Sequence, residues 1–151
     1  MQSAFHAALG LAALVGLTAA ATPTSATATL AGPKHGLATR LDGKWSGKLT
    51  SSMSFQPEYF TMIWNSEPGG RVIGTIMPSG RPHYAVNVVW SSDTAFIYES
   101  APHYNRMLHE EVVSRGVVHF KGNGLQGNFE ARPTKYEGRT VKGTFNAARK
   151  S

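Results

Sequence analysis

Leu125-Gln-Gly-Asn-Phe-Glu-Ala131 and Val141-Lys-Gly-Thr-Phe-Asn-Ala147 are two copies of one pattern. Leu125, Gly127, Phe129 and Ala131 alternate with Gln126, Asn128, Glu130 and Arg132, and Val141, Gly143, Phe145 and Ala147 alternate with Lys142, Thr144 and Asn146. A period of two gives a strand with one dry face and one wet face. The glycines fall on the dry face. Glycine weakens a strand, so Gly127 and Gly143 predict sharp bends or close approaches of backbone, as in a small barrel. The same apolar-x-Gly-x-apolar word recurs at Trp45-Ser-Gly-Lys-Leu49 and Val72-Ile-Gly-Thr-Ile76.

Working outward, short apolar runs follow one another at regular spacing. Glu67-Pro-Gly-Gly70, Pro78-Ser-Gly80, Ser91-Ser-Asp93 and Asn123-Gly124 are turn signals between them. Eight or nine strands result, with no helical pattern among them. An all-β, up-and-down antiparallel β-barrel is expected, since closure removes exposed strand edges.

The chain has 151 residues and no cysteine. Ala7 to Ala21 is apolar and uncharged, too short for the ~20 residues of a membrane span, and followed by small residues. Residues 1–21 therefore read as a signal peptide, with Ala28 a second place for cleavage. Residues 22–39, rich in Thr, Ala, Pro and Gly, read as a disordered linker, and 40–151 as the barrel domain. A secreted or periplasmic location is expected, and the missing disulfides lean towards a bacterial envelope. All 15 Lys and Arg and all 9 Asp and Glu lie after residue 33, so the formal charge of +6 belongs to the domain. That balance favours anionic partners. The basic residues are scattered among polar neighbours, so no nucleic-acid partner is expected, nor an integral membrane span; a monomer is.

Gly43-Lys-Trp45 opens the first strand, and Arg149 follows the last. The pair resembles the Gly-x-Trp signature of lipocalins and the wider calycin superfamily, in which a terminal Arg packs over the Trp. The resemblance implies an up-and-down barrel around a cavity for a small apolar or amphipathic molecule, with Trp45 and Arg149 in structural roles. The family's disulfide and C-terminal helix are missing here.

Phe60, Met62, Trp64, Tyr84 and Trp90 are the expected cavity wall, with Arg81, Arg106 and Arg139 at strand ends where a mouth would lie. An apolar wall with an arginine at its rim suits a small hydrophobic molecule or an amphipathic anion. His109 joins the candidate site with Arg106. Arg106-Met-Leu-His-Glu-Glu-Val-Val113 places a carboxylate on the more apolar face in either register, Glu110 in one and Glu111 in the other. His109 with either acid would make a small-barrel enzyme by acid–base chemistry, and His109 alone a haem ligand. No metal-ligand spacing is present, and the main reading needs no cofactor. Pro82-His-Tyr84 and Pro102-His-Tyr104 repeat one word, and the spacing leaves open whether they meet.

Overall fold

A computed structural model describes residues 35–135 and 138–151, with backbone alone at His35 and Phe55. The expected signal peptide, and the linker before residue 35, lie outside the described residues. The elements are α1 (His35–Leu41), β1 (Gly43–Ser51), β2 (Ser54–Ser66), β3 (Val72–Pro78), β4 (Tyr84–Ser91), β5 (Ala95–Ser100), β6 (His103–Asn105), β7 (Glu110–Lys121), β8 (Gly124–Pro133) and β9 (Val141–Arg149).

Strands adjacent in sequence pair antiparallel, except that β5 and β6 both pair with β7 and not with each other, and the ends meet through β1–β9. β5 pairs β7 from Ala95↔His119 to Glu99↔Arg115, closing an eight-stranded barrel. The ninth strand, β6, carries on along the same edge of β7, from His103↔Val112 to Asn105↔Glu110. Glu99 to His103 takes four steps where Arg115 to Val112 takes three, so one extra residue is accommodated around Pro102. Such irregularities cluster at barrel rims and beside sites. Here it leaves the Ser114 amide for the Ser100 hydroxyl oxygen, which accepts its hydrogen bond at 2.8 Å.

The inward glycines mark close approaches. Each stands directly across from an aromatic ring: Gly47 from Phe60, Gly74 from Trp64, Gly116 from Tyr98, Gly127 from Phe145 and Gly143 from Phe129. A Cβ on Gly127 would lie 2.7 Å from the Phe145 ring, and one on Gly143 2.5 Å from the Phe129 ring. At Gly74, Gly116, Gly127 and Gly143 the ring lies across the glycine, the use of glycine known as aromatic rescue, whereas a Cβ on Gly47 would meet the Asn146 carbonyl of β9.

One end of the barrel is closed. α1 spans residues 35–39, assigned above to the linker, and the first two of the barrel domain, with Leu37 and Leu41 buried against the barrel core. It is a single short helix, and tertiary packing rather than propensity holds it. Beneath it Trp45 is 2% exposed and donates its indole N–H to the Leu41 carbonyl at 2.8 Å. Arg149, the Cα partner of Trp45, lies with its guanidinium carbon 4.8 Å from the Trp45 ring centroid. It also donates to the carbonyls of Asp42, at 2.7 Å, and of Arg40. Arg149 thus satisfies carbonyls that a helix C-terminus leaves without partners, while Gly43 turns the chain into β1 at φ 110. This is the arrangement the calycin-type ends imply.

Candidate functional site

The meander alternates direction, so the turns after β1, β3, β6 and β8 gather at the end opposite α1. That end is open. A concavity of about 70 Å³ sits in its mouth, and a cavity of about 30 Å³ lies directly below. Leu49, Tyr84 and Phe129 line both.

The two Pro-His-Tyr words meet here. Tyr84 comes from the first and His103 from the second, their rings stacked at 3.9 Å between centroids and 3° between planes. His83 and Tyr104 are exposed. The His103 ring is held by its Nδ1, which lies 3.1 Å from the Ala101 carbonyl oxygen and 3.2 Å from Ser100 Oγ. A carbonyl can only accept, so the proton of the neutral ring is on Nδ1. Burial pushes the Tyr84 phenol far above its ordinary value, the Arg81 charge offsetting part of the effect. The Tyr98 phenol is also raised, by burial first and by Tyr84 second. Both stay neutral at physiological pH.

Burial lowers the His103 pKa below 6.5, and the Ala101 carbonyl recovers only part of that. A histidine depressed on folding contributes stability in full above its unfolded pKa and loses it as the pH falls below that value. The unfolding midpoint should therefore drop as the pH falls below about 6.5. His103→Phe keeps a flat ring on Tyr84 and should remove that part of the slope. An unchanged slope in paired denaturation series at pH 7 and pH 5 would mean that His103 does not contribute.

The expected wall residues divide. Phe60, Met62 and Tyr84 line the lower cavity. Trp64 faces inward too, but is packed in the closed half against Phe96 and Tyr98 and lines neither space. Trp90 is a correction. It is 38% exposed and opposite Ile97, because the register slips between Val88 and Trp90 and reverses the alternation. All three tryptophans lie towards the closed end.

Of the three arginines, Arg81 and Arg106 line the mouth and Arg139 does not. Arg81 is already engaged, donating to Glu58 Oε1 at 2.7 Å with both side chains largely covered. Arg106 has no hydrogen bond or ion pair among the described residues. His109 is exposed, in the turn before β7 at φ 55, and lines neither space. Val112, Ser114 and Val118 face inward, which puts Glu110 on the inner side at the rim and Glu111 outside. Glu111 accepts a hydrogen bond from the Thr134 hydroxyl at 3.1 Å. Neither acid lines the mouth or the cavity below.

Sequence reasoning missed His103, Leu49, Phe129 and the Glu58 partner of Arg81. The repeated Pro-His-Tyr word was the available signal for the first. No family model, no curated protein and no solved structure matches this chain.

Proposed function

We propose that the protein is an exported, lipocalin-like barrel that works as a monomer and binds a small amphipathic anion at its open end. The observation that carries this reading is the make-up of the mouth. One side is apolar, with Leu49, Phe129, Ala131 and Val141, and the other presents the unengaged Arg106 guanidinium. The apolar side removes a ligand's hydrocarbon from water at ~25 cal/mol per Å². An arginine can grip a carboxylate or phosphate through two parallel N–H bonds. Arg81 is a poorer candidate for that role, since an incoming anion would have to compete with Glu58. The excess of basic residues supports the same class of ligand by raising its encounter rate, an effect that salt weakens.

Titration calorimetry with short carboxylic acids and their methyl esters tests the reading. Tryptophan fluorescence would report poorly, because the tryptophans are at the far end. Arg106→Gln should weaken acid binding about tenfold, the low end for a hydrogen bond to a charged group, and leave the esters unaffected. Equal binding of acid and ester by the native protein would remove Arg106 from the site.

A further inference from the structure

The mouth and the cavity beneath it share three lining side chains, Leu49 from β1, Tyr84 from β4 and Phe129 from β8. We infer that these three form a fixed partition that limits the ligand to compact anions, acetate- to butyrate-sized, and excludes longer acyl chains. The inference rests on the mouth being the anion site proposed above.

Size comes first. The mouth offers about 70 Å³ and the lower cavity about 30 Å³, each above the ~10–15 Å³ that a single water needs. Pockets that engulf drug-sized ligands run to roughly 300–1,000 Å³. A long chain could enter only by displacing the partition into the interior.

The partition has little freedom to move. Tyr84 is pinned by its stack with His103, whose ring is tied to the Ala101 carbonyl. Phe129 lies against Gly143, with a ring carbon 2.5 Å from where a Cβ would stand, so the ring occupies space that only glycine leaves open. Phe129 also packs against both apolar clusters, the main core and the small one formed by Val112, Ala131 and Val141 under the mouth. Swinging it aside would empty contacts on two sides. Leu49 completes the barrier and is packed against the main core. The lower cavity is lined otherwise by Phe60, Met62, Ile76, Tyr98 and Phe145, so it would suit a hydrocarbon chain if the barrier were cut back.

The test is calorimetry on the native protein, Phe129→Ala, Leu49→Ala and Arg106→Gln, each titrated with butyrate and with octanoate. The native protein should bind butyrate and bind octanoate at least tenfold more weakly. Phe129→Ala and Leu49→Ala should each raise octanoate affinity at least tenfold over native, because the mouth and the lower cavity become one space. Leu49→Ala stands in if Phe129→Ala fails to fold, and the native preference for butyrate is a test that needs no variant. Octanoate bound by the native protein as tightly as butyrate would overturn the partition, as would unchanged chain-length order in the folded variants. Failure of the site itself looks different. Neither acid would bind, or both would bind Arg106→Gln as well as native, and the partition would fall with the site.

Discussion

Replacing Trp45 with alanine should destabilise the protein by about 3–5 kcal/mol, the range for emptying a large aromatic site in a core. The site cannot collapse cheaply. Trp45 is 2% exposed, its N–H is bonded to the Leu41 carbonyl, and the guanidinium of Arg149 lies over it. The loss removes the floor on which α1 rests, so the Leu37 and Leu41 contacts weaken with it. Arg149→Ala should cost about 1–2 kcal/mol through the lost ring contact and the carbonyls of Arg40 and Asp42 left to water. The two losses should not add. Arg149 has nothing to lie on once the indole is gone, and contacting pairs of this kind couple by about 0.5–3 kcal/mol. Urea denaturation of the two single variants and the double variant gives the coupling. Strict additivity would mean that the Trp–Arg contact does not organise the closed end.

How far the sequence carried this depends on what fixes each feature. The strands of the C-terminal half are plain in the alternation at Leu125–Ala131 and Val141–Ala147, because one face meets the core and the other meets water. The ring of neighbouring strands follows from short turns, whereas Arg149 was placed over Trp45 by the resemblance to calycin-type ends and not by the alternation itself. α1 was not legible. Seven residues give too few turns for a period, and its reason to be helical is the barrel end it covers. Trp90 was misread for a different reason. An alternation extrapolated through Val88-Val89-Trp90 holds only without a slip, and the slip is set by pairing with β5. The mouth was half legible. Arg81 and Arg106 were expected at a rim, but Glu58 is 23 residues from Arg81, and it is the register of β2 against β3 that brings them together. The stack of Tyr84 on His103 joins β4 to β6, two strands that do not pair with each other.

The inward glycines give the second large effect, and the identity of the blocking atom decides its size. At Gly143 a Cβ would come within 2.2 Å of the Thr50 carbonyl oxygen as well as 2.5 Å of the Phe129 ring. Backbone cannot step aside without parting β1 from β9, so Gly143→Val should cost about 3 kcal/mol or more, at or beyond the usual overpacking range. For a domain of this size that is a fall in melting temperature on the order of 10 °C or more. Gly127→Val should behave similarly, with the Val117 carbonyl oxygen and the Phe145 ring each 2.7 Å from the new Cβ. Gly116 differs, because the three atoms nearest to a Cβ there, at 2.2, 2.4 and 2.7 Å, all belong to the Tyr98 side chain. Gly116→Ala should therefore be destabilising in the native background and largely rescued by Tyr98→Leu, whereas Phe129→Leu should leave most of the Gly143→Ala loss in place. Gly36, on α1 with open space around it, should accept alanine without loss. Thermal melts followed by circular dichroism separate these cases. Equal rescue at Gly116 and Gly143 would mean that β9 yields as readily as a side chain, and the claim that backbone contact fixes glycine at 143 would fall. Melting temperatures unchanged by valine at both 127 and 143 would turn these strands over and put the glycines on the solvent side.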